Sequence, residues 1–254
     1  MGLTILTGAS RGLGAALAQA IAATPGQMLL TLARSAAAPG LEATARATGS
    51  RHEHWMVDLA DPGPIAERLE TWLRAQVDPF PDGVTLINNA GALGPVGPVE
   101  SGEPADIAAV LRINLEAPIL LTRAFLQATR TWRGARKAVQ ISSGAGRNAY
   151  AGWSLYCATK AGLDHFTRAV TLDEALRPLE ERAQLVSLAP GVIDTAMQAE
   201  LRGSDPAGFP DHQRFLDLKA SGQLPTPEAA AARVLAFLER ADFGSRPVAD
   251  VRDA

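Results

Sequence analysis

Thr7-Gly8-Ala9-Ser10-Arg11-Gly12-Leu13-Gly14 is the stretch on which the fold turns. The apolar run Leu3-Thr4-Ile5-Leu6 feeds into it and an alanine-rich segment follows at once, the context of a strand, a tight turn and a helix. Glycines at 8, 12 and 14 let backbone pass close to a pyrophosphate and let the helix pack tightly on the strand. The helix N-terminus adds free N–H groups and partial positive charge. The implied ligand is a dinucleotide, held by Gly8, Ser10, Arg11, Gly12, Leu13 and Gly14.

Outward from this turn, short apolar runs alternate with helix-like segments. Residues 3–7, 28–33, 54–57, 84–88, 138–142 and 184–189 read as strands, and 13–23, 41–48, 64–77, about 105–129 and about 154–176 as helices. Strands this short and apolar are buried on both faces. The expected fold class is therefore α/β, a doubly wound, mostly parallel, Rossmann-like sheet in a single domain over 1–254. Over about 197–223 the pattern loosens, which reads as a mobile insertion and a candidate substrate lid.

With 254 residues, 47% of them hydrophobic, the chain is long enough for one large core. Its 27 acidic against 24 basic side chains leave a net charge of -3, which gives nucleic acid no overall attraction. The single cysteine, Cys157, cannot form an intrachain disulfide, and a reducing, cytoplasmic setting is expected. The opening apolar run is too short for a signal peptide, Leu6 breaks the myristoylation pattern, and no run of apolar residues is long enough to span a bilayer. No membrane partner is expected. His52, His54, His165 and His212 lack metal-ligand spacing, so no metal is expected either. Arg123, Arg130, Arg133 and Arg136 read as a solvated helix face and exit turn.

Selection of NAD needs a carboxylate at the end of the second strand to accept from the ribose hydroxyls. The chain has Ala33-Arg34-Ser35 there, with no acid between Gly14 and Glu42. Arg34 is placed to meet a 2′-phosphate, with Arg11 as a second partner, so the expected cofactor is NADP(H). Asp58 reads either as an acceptor for the adenine amino group or as a turn acid. In Asn88-Asn89-Ala90-Gly91 the amides can lock adjacent loops and Gly91 permits close approach; Asn89 and Ala90 are expected to border the cofactor, beside a purely architectural role as the default for the Asn pair.

Tyr156 and Lys160 lie four apart on a predicted helix and share a face. A phenol of ordinary pKa about 10 is a poor proton donor or acceptor at neutral pH, but a nearby ammonium and a nicotinamide cation both favour its phenolate. Ser143, ending the preceding strand, can hold a carbonyl oxygen beside that phenol. Together they describe a hydride-transfer site with Tyr156 as acid, Lys160 as electrostatic partner and Ser143 as orienter. Trp153 either faces the substrate or packs, and Cys157 is expected to fill space between helix and sheet.

TGASRGLG at 7–14, NNAG at 88–91, Asn114, Ser143, YCATK at 156–160 and Pro190-Gly191 together resemble the short-chain dehydrogenase/reductase family over almost the whole chain. The resemblance implies that Asn114, on its own terms a polar residue in a helix bend, completes a tetrad by holding a water that connects Lys160 to solvent. It favours Ser143 over Ser142 as orienter. It also implies cofactor contacts from Pro190, Gly191 and Val192, and a contact of Thr195 with the nicotinamide carboxamide.

A closer similarity, to the sepiapterin reductase branch with its bacterial benzil-reducing relatives, rests on residues 152–157, 189–198 and 249–251. It implies a pterin-anchoring role for Asp250, which otherwise reads as a solvated acid. The function implied is NADPH-dependent reduction of a ketone or vicinal dicarbonyl, sepiapterin-like or benzil-like, by a homodimer or tetramer. Two other readings stand beside it: a catalytically idle NADP-binding sensor or scaffold, and an alcohol dehydrogenase working in the oxidative direction.

Overall fold

Leu-, Ile- and Val-rich runs form most of the strands of the computed structural model, which describes residues 1–76 and 80–253. They are β1 (Leu3–Thr7), β2 (Met28–Ala33), β3 (Arg51–Met56), β4 (Val84–Asn88), β5 (Arg136–Ile141), β6 (Gln184–Ala189) and β7 (Val248–Asp250). All pair in parallel, in the order β3-β2-β1-β4-β5-β6-β7. The order reverses between β1 and β4, and such a switch point opens a crevice at the C-terminal strand ends.

The helices are α1 (Gly12–Ala22), α2 (Leu41–Ala47), α3 (Pro62–Arg74), α4 (Pro104–Leu111), α5 (Ala117–Ala128), α6 (Ser154–Ala175), α7 (Ala196–Arg202), α8 (His212–Ala220) and α9 (Pro227–Leu238). Neighbouring strand residues serve opposite cores. Ile5 packs with Leu69 of α3 and Phe125 of α5, whereas Leu6 packs with Leu17 of α1 and Val234 of α9. Both faces being covered is why inner strands such as β1, β2 and β4 are largely apolar without alternation.

Several boundaries differ from expectation. β3 starts at Arg51 and not at 54, because Met28↔Arg51 begins a register in which β3 is the sheet edge and tolerates polar residues. His52 Nε2 and His54 Nδ1 each lie 2.8 Å from Thr31 Oγ1 there, a structural use for both rings. α3 ends at Arg74, and the expected end at Val77 falls outside the described residues. The long helix expected over 105–129 is interrupted by a π turn, Arg112–Glu116, that widens the helix around Asn114. The loosely patterned stretch carries α7 and α8, and a seventh strand, β7, follows α9.

The arginine reading is also corrected. Arg123 is exposed and pairs with Glu70. Arg130, however, grips Glu174 with two bonds of 2.7 and 2.8 Å. Arg136 is buried, with Nη1 donating to Thr129 O just beyond α5 at 3.0 Å. These guanidiniums satisfy the carbonyls and the acid left where α5 and α6 end. Among the described residues no group of three or more His, Cys, Asp or Glu could hold a metal, and no helix is long and apolar enough to cross a membrane.

Candidate active site

A cavity of about 660 Å³ opens at the C-terminal ends of the strands. Its floor is built by close backbone approach. Gly8 has φ +72°, and a Cβ there would stand 2.8 Å from Ala90 Cα. At Gly14 a Cβ would come within 2.1 Å of Gly8 O and 2.5 Å of Asn89 Nδ2. Asn89 Nδ2 donates to Thr7 O at 2.9 Å, and Thr7 Oγ1 accepts from Asn89 N and Ala90 N at 2.9 and 3.0 Å. The turns after β1 and β4 are thereby locked together. Asn88 turns inward instead, donating to Gln140 Oε1 and Thr122 Oγ1 at 2.9 and 3.2 Å, an architectural role.

α1 begins beyond Arg11 with no side-chain cap and no acid in its first turn, so its N-terminal N–H groups keep their positive potential. Arg11 and Arg34 are exposed, border the same cavity, and form no ion pair among the described residues. A glycine cradle, an uncapped helix N-terminus and two unpaired guanidiniums fit a phosphate-rich dinucleotide. Asp58 borders the cavity too, with Oδ1 accepting from Ala60 N at 3.0 Å as a turn acid does.

Beyond β5, Ser143 caps a short 3-10 turn, Gly144–Gly146, its Oγ accepting from Ala145 N at 3.1 Å. Tyr156 and Lys160 are buried one turn apart on α6, with Lys160 Nζ 5.6 Å from the centre of the phenol ring. Nζ donates to Ile141 O at 2.8 Å.

Burial pushes the Tyr156 phenol up to about 12, while its hydrogen bond with Ser143 works the other way. The phenol is therefore protonated at neutral pH. Burial pushes Lys160 down to about 8, opposed by the charge of Asp164. Asn114 is wholly buried in the π turn. It accepts from Ala92 N at 2.8 Å and donates to Ala92 O at 2.9 Å, fixing the loop after β4.

The other wall is aromatic. Trp153 lies stacked on Tyr156 with ring centres 4.7 Å apart, and meets Tyr150, Phe209 and Phe215 edge-on. Its Nε1 is buried without an acceptor. Phe209 and Phe215 come from the stretch that looked polar, and their burial with Leu201 is what folds α7 and α8 against the site. Asp194 ties these helices down through Lys219 and, at 3.7 Å, Arg202. Thr195 sits against the glycine turn, its Cγ2 3.4 Å from where a Gly12 Cβ would be. Cys157 is half-buried and packs beside Tyr150 and Trp153.

Asp250 is not the solvated acid of one reading. It is buried on the cavity wall, held by Arg252 Nε and Nη2 at 2.7 Å each and faced by Arg147 at 3.9 Å. The Arg252 guanidinium keeps its carboxyl below the usual range.

The cavity brings together Gly8, Ser10, Arg11, Gly12, Leu13, Gly14, Arg34, Asp58, Asn89, Ala90, Gly91, Ser143, Trp153, Tyr156, Lys160, Pro190, Gly191, Val192, Thr195 and Asp250. Asn114 alone among the expected residues does not border it and acts from behind Ala92. Sequence reasoning missed Arg147, Asp164, Tyr150, Phe215 and Arg252. Only Asp164 left a signal, its four-residue spacing from Lys160.

A family model described as short chain dehydrogenase matches residues 3–205. The chain is 34% identical to a benzil reductase ((S)-benzoin forming) of Bacillus cereus, over 96% of this chain and 96% of that protein. It is 34% identical to a sepiapterin reductase of Meriones unguiculatus, over 98% and 95% of the two chains. The crystal structure of the KRED1-Pglu enzyme superposes with a TM-score of 0.80 at 29% identity, covering 97% of this chain and 99% of that one.

Proposed function

The chain belongs to the short-chain dehydrogenase/reductase family, and from that premise we propose that it is an NADPH-dependent carbonyl reductase acting on a ketone or vicinal dicarbonyl. One observation carries the proposal. The Ser143 hydroxyl, a protonated Tyr156 phenol and the Lys160 amine meet in the cavity whose floor is the glycine cradle. A reduced nicotinamide dinucleotide, when bound, supplies the hydride.

The chain's own groups do the rest. Ser143 holds the carbonyl oxygen, and Tyr156 donates its proton to that oxygen as negative charge develops there. Lys160, an ammonium below about 8, stabilises the phenolate left behind and, with Asn114, returns a proton to it. The cradle, Arg11, Arg34 and Thr195 hold and orient the dinucleotide, and α7 with α8 acts as the lid over the substrate. A homodimer in the cytoplasm belongs to the same proposal. Leu172, Leu176 and Leu179, 70%, 88% and 77% exposed, supply apolar surface that a second copy would cover.

The choice of NADPH is tested by Arg34→Asp. Exchanging a phosphate partner for a like charge removes a charge-assisted bond of about 1.5–3 kcal/mol, about 10- to 100-fold in NADPH affinity. NADH affinity should change far less, and an equal loss for both dinucleotides contradicts the assignment.

Two substrate classes have support of different kinds. The aromatic wall of Trp153, Tyr150 and Phe215 favours an aryl diketone of the benzil type, whereas Asp250 on the same wall favours the donor-rich edge of a pterin. NADPH oxidation with a panel of diketones and pterins, repeated on Asp250→Asn, separates them. With Asp250 already engaged by Arg252, diketone turnover is expected to survive the change. A loss confined to pterins supports the anchor, and absence of turnover with every carbonyl tried overturns the reductase reading.

A further inference from the structure

Asp164 lies one turn along α6 from Lys160 and is only 1% exposed. Its Oδ1 accepts from two hydroxyls at 2.6 Å, Ser142 at the end of β5 and Ser187 in β6. Its Oδ2 has no hydrogen-bond donor, and Arg147 Nε stands 3.4 Å away. A Cβ at Gly146 would come within 2.8 Å of that oxygen and 3.0 Å of Lys160 O. The turn that starts at Ser143 therefore lies directly on the catalytic helix at this carboxylate. Arg147 reaches further, donating from Nη2 to Ala249 O at 2.8 Å and facing Asp250. Charge alternates along the row: Lys160, Asp164, Arg147, Asp250, Arg252.

A buried, half-satisfied carboxylate costs more to desolvate than an apolar side chain of the same size, so packing alone is a poor reason for it. Its two well-made contacts join the strand ends beneath the site, and its third side faces the segment bearing the orienting serine. We propose that Asp164 is a positioning residue, clamping the Ser142–Arg147 segment, and with it Ser143, against α6 while holding Lys160 as the cation beside Tyr156. The part concerning catalysis rests on the carbonyl-reductase reading; the part concerning Lys160 does not. The ionisable groups around this lysine are Tyr156 and Asp164 on α6, with Arg147 from the 3-10 turn and Asp250 from β7 behind Asp164.

The chain has three lysines, Lys137, Lys160 and Lys219, so lysine carrying ¹³C at Cε gives three resonances, with that of Lys160 assigned by its loss in Lys160→Arg. In Asp164→Asn the Lys160 titration should move down by about one pH unit, because an attracting charge is gone. In Arg147→Gln it should move up, because the cation that neutralises Asp164 is gone. These opposite signs are not what general loosening produces, and Arg147→Gln decides alone if Asp164→Asn does not fold.

For carbonyl reduction by Asp164→Asn, turnover at neutral pH should fall about tenfold or more. The alkaline limb of kcat should shift down with the lysine, while NADPH affinity holds. A Lys160 titration unmoved in both variants overturns the proposal. So does a moved titration with an unmoved limb. Wild-type protein that turns over no carbonyl counts against the reductase reading, and the lysine resonance still decides whether Asp164 sets Lys160.

Discussion

Tyr156→Phe should lower kcat for carbonyl reduction by about 10²- to 10⁴-fold while leaving the Kd for NADPH within about twofold, because only a proton donor is removed. The ring is needed as a packing surface as well as an acid. It lies stacked on Trp153 at 4.7 Å, and phenylalanine preserves that contact. A loss of activity therefore reports on the hydroxyl and not on collapse of the aromatic wall. The pH profile gives a second check. The phenol is held up to about 12 and Lys160 down to about 8. Lys160 has a folded value below its ordinary one, so its charge is present below about 8 and lost as pH rises through it. Reduction should accordingly decline on that alkaline side long before the phenol itself ionises. Wild-type turnover retained in Tyr156→Phe removes the residue from the acid role.

The other large effect is expected at Gly14→Ala. The added methyl carbon would sit 2.1 Å from Gly8 O and 2.5 Å from Asn89 Nδ2, with backbone on one side and a locked amide on the other. Neither can yield without reopening the lock between the turns after β1 and β4. Overpacking of this kind costs about 1–3 kcal/mol, about 5- to 150-fold in NADPH affinity if it falls wholly on binding. Gly63→Ala in α3, where nothing lies within 4 Å of the new atom, is the matched control. Dinucleotide titration and thermal melting of both variants separate lost binding from lost stability. Gly14→Ala binding NADPH as tightly as Gly63→Ala contradicts the cradle.

What could be read from the chain is what depends on near neighbours. β1, the glycine turn and α1 follow from residues 3–22 taken together, because each element sets the conformation that the next one requires. Tyr156 and Lys160 follow from helical periodicity, whereas only the family resemblance sets Ser143 apart from Ser142. Both serines border the cavity, but Ser142 donates to Asp164 while Ser143 caps the 3-10 turn through Ala145 N. What stayed hidden depends on distant partners. Arg130 and Arg136 looked like solvent-facing charges until Glu174 and the end of α5 were brought beside them. The π turn at Asn114 needs Ala92, 22 residues away, to make its widened hydrogen bonding worthwhile. Phe209 and Phe215 sit among Gly, Pro, Asp and Arg, and their local pattern carried no period from which α7 and α8 could be drawn.

The position of β7 has a consequence for how the protein comes into being. On the ribosome both glycine-bearing turns have been made once Gly91 has, and Ser143, Tyr156 and Lys160 once Lys160 has, whereas Thr195 beside the first turn and α9, which shares a core with α1, come later. Asp250, on the cavity wall, is added ninety residues after that lysine. At about 5–20 residues per second, about 5–18 s of translation separate the synthesis of Lys160 from that of Asp250.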